Sequence, residues 1–106
     1  MPEYRLTPDA EDDLSDIARY TLETWGEAQQ RLYEAALITC FEALADGSAR
    51  TRRPLPHRTD VRQVHCRHHY VFAIDVPDAP VTIVAVLHEK MDLMTRLLDR
   101  LGDSTA

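Results

Sequence analysis

Lysine is almost missing from this chain: Lys90 is the one lysine among 106 residues, so eleven of the twelve basic side chains are arginines. Cysteine stops at two. Cys40 and Cys66 are too few for a disulfide framework and lack paired metal-ligand spacing, so two reduced thiols packed as small apolar groups are expected. No apolar run approaches the roughly 20 residues that a membrane span requires. The N-terminus sets Glu3 and Arg5 around a short apolar beat instead of a basic segment followed by an apolar core. Together these absences argue against membrane insertion and export and lead us to expect a cytoplasmic protein. The length also leaves no room for a second domain, and 106 residues can bury one continuous core without staples.

Charge is plentiful, and its distribution says more than its sum of −6. Residues 1–46 carry eleven acids against three arginines, residues 50–70 carry six arginines against Asp60, and the remainder is acidic again. The middle is a basic island in an acidic chain. Such an island can face phosphates or an acidic protein segment, whereas a broad nucleic-acid face is usually basic overall. No direct sequence-specific nucleic-acid binding is expected.

The most apolar stretch runs from Val81 to Leu93 and ends in charged and sulfur-bearing residues. β-Branched residues after Pro80 predict a buried central strand, with Val81, Ile83, Ala85 and Leu87 on one face and Thr82, Val84, Val86 and His88 on the other. Both faces need cover. Upstream, Tyr4 to Leu6 predicts a short edge strand, and Thr7-Pro8-Asp9 a helix start with Thr7 as cap. Ala10, Leu14, Ile17, Ala18, Thr21 and Trp25 form an apolar stripe, with Asp12, Asp13 and Asp16 on a solvated face. Gly26 separates this helix from a second one over residues 27–46 with Leu32, Tyr33, Ala36, Leu37, Cys40 and Leu44 as its stripe, and Gly47 stands where a left-handed cap is wanted. The two helices must fold back as a hairpin.

Residues 48–56 predict an irregular basic loop, after which the period becomes two over residues 61–66 and 70–76. Leu93, Leu97, Leu98 and Leu101 then predict a closing helix, and residues 102–106 a frayed tail. The expected class is α+β: an N-terminal strand and a helical hairpin packed on a three-stranded antiparallel meander, with a short C-terminal helix.

Thr7-Pro8-x-Ala10-x-x-Asp13-Leu14-x-x-Ile17-x-x-Tyr20, then Trp25-Gly26-x-x-Gln29, Val61-Arg62-x-Val64, Tyr70-x-Phe72 and Val86-Leu87-His88-Glu89-x-Met91-Asp92-Leu93 make an ordered set. It resembles the ParE toxins, a branch of the RelE/ParE superfamily. The resemblance implies a toxin of a type II toxin-antitoxin system that binds and poisons DNA gyrase, blocks replication, and is neutralised by a ParD-like antitoxin. The chain departs from the family pattern at the histidine-rich corner His65-Cys66-Arg67-His68-His69.

From the residues themselves, a ribonuclease of the RelE kind, acting on message at the ribosome, needs a base, an acid and cations for the phosphate. Arg62 and Arg67 could clamp phosphate, and His65 or His88 could exchange protons, but the set is thin. No catalytic residue, metal site or cofactor is assigned. On an extended chain the corner's ligand-competent residues alternate between faces, so at most two converge. His88 is expected to cap the core, donating a ring hydrogen to a backbone carbonyl. Expected target contacts are Arg62, Arg67, His88 and Met91. An antitoxin is expected to lay an apolar side on Val84 and Val86, left open by the hairpin, and acidic groups on Arg53, Arg58, Arg62 and Arg67. The remaining alternatives are the ribonuclease and a non-toxic relic that keeps only antitoxin binding.

Overall fold

The computed structural model describes residues 3–102. They form β1 (Tyr4–Leu6), α1 (Pro8–Trp25), α2 (Glu27–Asp46), β2 (Val61–Cys66), β3 (His69–Ile74), β4 (Val81–His88) and α3 (Leu93–Arg100). The expected tail over 102–106 lies, but for Gly102, outside the described residues.

Local chemistry fixes the helix ends where the sequence placed them. Thr7 accepts a hydrogen bond from the Ala10 amide at 3.1 Å, and Pro8 occupies the first helical position. Gly26 (φ 94) is at once the last cap of α1 and the first of α2, so one residue reverses the chain. Gly47 ends α2 in the left-handed region (φ 80), where a side chain would be strained.

The sheet order is β1-β4-β3-β2, with β1 parallel to β4 and the meander antiparallel. Its two faces hold separate cores. Ala10, Leu37, Phe41 and Leu44 of the hairpin pack on Val71, Ala73, Ile83 and Val86. On the other face Leu97 of α3 joins Leu55, Val61, Phe72, Val84, Ala85 and Leu87. The loop before β2 is less irregular than expected. Arg52 and Gln63 exchange two backbone hydrogen bonds of 2.8 Å, which lays the loop along the rim of β2.

The strict alternation expected along β4 fails at one place. Phe72 pairs with Ala85 while Ala73 pairs with Ile83, so Val84 is an extra residue and the phase slips by one. Val81 and Ile83 face the hairpin as one set, but after the bulge Val86 takes that side, and Ala85 and Leu87 turn to α3. Val84 and Val86 are therefore not an open surface. They are 5% and 3% exposed, one under α3 and the other under the hairpin.

Two further expectations are corrected. Cys40 and Cys66 form a disulfide and are not free thiols, because α2 and the end of β2 bring their Cα atoms to 6.6 Å across 26 positions of sequence. Trp25 and Leu32, placed on core stripes by their spacing, are 69% and 66% exposed, because the α1 stripe leaves the core after Thr21 and the start of α2 turns outward with it.

Nor is Asp13 solvated. Its Oδ2 accepts the Val86 amide hydrogen at 2.9 Å, and Arg100 grips both carboxylate oxygens at 2.8 and 2.7 Å while also donating to the Val84 carbonyl at 3.0 Å. The pair is largely shielded from solvent, with Asp13 at 14% and Arg100 at 22% side-chain exposure. It supplies partners to the backbone groups that the bulge leaves unpaired. Asp13→Ala strands a guanidinium and a buried amide, and Arg100→Met strands a carboxylate. Each is expected to lower stability by about 3 kcal/mol, and the double variant by no more than about 4. Urea unfolding of the four proteins checks this, and strictly additive losses would show that the two groups do not act together.

Candidate functional site

Three arginines of the basic island are tied into the structure by their side chains. Arg58 donates to both oxygens of Asp60 at 3.0 and 2.9 Å, and this bond holds the Asp60 carboxyl below the usual carboxylate range. Arg53 donates to the Thr59 carbonyl at 3.1 Å. Arg62 lies with Nε 3.1 Å from Asp75 Oδ2 and donates from Nη1 to Thr51 at 3.2 Å, so it ties the loop before β2 to the far end of β3. Arg67 differs. It occupies the first position of the two-residue turn between β2 and β3 with φ 59, is exposed, and forms no ion pair among the described residues.

Around Arg67 the corner gathers the aromatic and histidine side chains of three strands and α2. His65 stacks on its cross-strand partner Tyr70, with ring centres 4.3 Å apart. His69 lies opposite His88 on β4, the two rings meeting edge to face at 5.2 Å. Glu89 bridges the exposed pair, with its oxygens 3.3 Å from His65 Nε2 and 3.2 Å from His68 Nδ1. Chiefly through the His68 bond, its carboxyl is held below the usual range.

Tyr33 enters this corner from α2. Its oxygen accepts the His68 amide hydrogen at 3.1 Å and hydrogen-bonds with His69 Nδ1, 2.5 Å away. Burial pushes the Tyr33 hydroxyl up. Burial, with His88 and His68 nearby, pushes His69 down to about 4, which keeps it neutral at ordinary pH. His88 does not donate as expected: its Nδ1 accepts from the Lys90 amide at 3.2 Å, and its carbonyl accepts from Met91 at 2.9 Å. Met91 projects, exposed, beyond that turn. Among the described residues no three of His, Cys, Asp and Glu converge as a metal site would require.

A second surface was not anticipated. Leu14, Ile17 and Thr21 of α1 and Tyr33, Leu37 and Ile38 of α2 line an apolar groove of about 230 Å³ between the helices. Five of the eight large apolar residues exposed among the described residues, Tyr20, Leu22, Trp25, Leu32 and Ile38, lie on this hairpin. The signal was in α2, which carries apolar residues on more than one side, more than a single core-facing stripe can use. No helix among the described residues is long and apolar enough to cross a membrane.

Comparison with known proteins gives a consistent result. The family model for the ParE toxin of the type II toxin-antitoxin system parDE matches residues 4–93. A curated relative, Toxin ParE of Escherichia coli, is 46% identical over 101 residues, spanning 95% of this chain and 98% of that protein. A solved structure described as the chromosomal ParDE toxin-antitoxin system from P. aeruginosa shares the fold. It superposes with a TM-score of 0.66 at 16% identity, covering 83% of this chain and 96% of that one.

The corner generates a pH dependence. Unfolded, His69 takes up a proton near 6.5; folded, it does so only near 4. Its contribution to stability is therefore complete above pH 6.5 and is lost as pH falls from 6.5 towards 4. Glu89, lowered from 4.5 in the folded chain, adds a loss only below that pH. Urea midpoints taken between pH 7.5 and 4.5 are expected to fall less steeply for His69→Gln, whose amide can still hydrogen-bond with Tyr33. Equal slopes for the two proteins would contradict this origin.

Proposed function

Because the chain belongs to the ParE toxin family of type II toxin-antitoxin systems, we propose that it acts by binding DNA gyrase and arresting its cycle after DNA cleavage. It performs no reaction of its own, and a ParD-like antitoxin keeps it silent. The observation that carries the partner reading is the hairpin groove, an apolar concavity lined by Leu14, Ile17, Leu37 and Ile38 on a hairpin that also exposes Trp25 and Leu32. An amphipathic antitoxin segment that folds on binding would cover it, as helices laid in grooves do.

This reading moves the antitoxin's apolar contact from Val84 and Val86, which α3 and the hairpin already bury, to the groove. Of the arginines first considered for its acidic groups, Arg53 and Arg67 are the outward-facing ones, because Arg58 and Arg62 are engaged with Asp60 and Asp75. For the target, Arg67, His88 and Met91 share the corner, while Arg62 stands near the other end of β2, where it holds the preceding loop. The chemistry there supports binding over catalysis. Tyr33 and His69 engage each other, His69 is neutral, and Glu89 is bridged between two imidazoles, so these groups are committed to one another and not to a phosphodiester.

Expression without antitoxin is expected to stop growth through replication, and the purified chain to inhibit supercoiling and trap linear plasmid with gyrase. Cut message in a ribosome assay, with gyrase unaffected, would overturn the reading. Arg67→Ala is expected to weaken gyrase inhibition by about tenfold. Ile38→Asp is expected to weaken antitoxin binding by about thirtyfold, leaving growth arrest in place. Calorimetry with the neighbouring gene's product measures the second effect.

A further inference from the structure

Beyond the groove and the gyrase reading, and independent of both, stands the joint between α2 and the corner. Cys40 and Tyr33 lie seven positions apart on α2, two turns along the same helix face, and both reach the end of the β2–β3 hairpin. Cys40 is bonded to Cys66, the last residue of β2 and the one before Arg67. Tyr33 holds the next two residues, through the His68 amide and the His69 ring. Cys66 and His69 are themselves cross-strand partners. The corner is thus fastened to α2 at adjacent points, once covalently and once by hydrogen bonds.

We propose that Cys40 and Cys66 form a reversible thiol–disulfide exchange site. A dithiol is its reductant, and its oxidation state sets how firmly the Arg67 corner is held on α2.

Three observations support this. Cys40 is partly exposed while Cys66 is buried, so an incoming thiolate can reach the Cys40 sulfur and expel Cys66 as the leaving thiolate. Second, the reduced state is already accommodated, because the Ala36 carbonyl lies 3.5 Å from Cys66 Sγ and can accept its S–H once that hydrogen exists. Third, these are the chain's two cysteines, so exchange has two internal states and no alternative pairing. The step balances: the dithiol's first thiolate forms a mixed disulfide with Cys40, and its second thiol closes on that bond. The reductant leaves as a disulfide, and Cys40 and Cys66 gain two electrons and two protons. Both core clusters are expected to remain in place on reduction, because Cys66 is one of many side chains packed on the sheet there.

The test uses the full chain equilibrated in buffers of reduced and oxidised dithiothreitol at graded ratio, with thiols trapped by alkylation and counted by mass, and amide hydrogen exchange read on the same samples. The expected result is a two-thiol transition with no one-thiol species dominating. Across it the His68 amide exchanges about tenfold faster while the Val86 amide, held by Asp13, is unchanged. Cys40→Ser is expected to show the fast His68 exchange in every buffer. The proposal is overturned if both cysteines alkylate without reductant, or if reduction leaves His68 exchange unchanged. Equal acceleration at His68 and Val86 also refutes it, because the bond would then support the whole fold. Wild-type protein alone decides these outcomes should the variant fold poorly.

Discussion

A sheet buried on both faces cannot leave backbone groups unpaired in its middle, and the extra residue in β4 would do so without the Asp13 carboxylate and the Arg100 guanidinium. One side chain comes from the first helix and the other from the last, so the pair closes the chain across the strand between them. The bulge they stabilise decides which valine each core receives: Val86 goes to the hairpin and Val84 to α3. Two small cores on opposite faces are thereby joined through a single charged contact. That contact adds a polar anchor to the apolar one that Leu97 gives α3, an eight-residue helix too short to persist alone.

The parts of the fold that were legible in the sequence are those governed by neighbouring residues. Thr7 followed by Pro8, Gly26 and Gly47 set helix ends through local backbone preferences, and the change to period two marked the meander, so these elements lie where they were expected. What was illegible depends on pairing between distant residues. The slip at Val84 follows from its register against β3, and no pattern within residues 81–88 betrays it. Cys40 and Cys66 meet only because α2 crosses the end of β2. Asp13 looked solvated because its partner lies 87 positions away.

The candidate site follows the same division. Arg62, Arg67, His88 and Met91 were visible as residues, but their separate roles came from three dimensions: Arg62 belongs to the scaffold, His88 to a turn, and Arg67 and Met91 to the surface. Tyr33 was assigned to a core stripe, and its hydroxyl proved to organise the corner instead. The hairpin groove was hidden because each apolar residue on a helix invites assignment to the core. α2 has more of them than one face can bury.

The rims of the sheet also bear on how another chain can approach. Along β2 the outward amides of Val61 and Gln63 are both occupied, by the carbonyls of Arg58 and Arg52. At the opposite rim β1 has three residues. Among the described residues neither margin offers a long run of free donors and acceptors to template an added strand, which disfavours edge-to-edge polymerisation. It also removes the least discriminating form of capture, backbone to backbone. A visitor must be chosen by its side chains, so the chain's associations are as specific as the sequences that meet it.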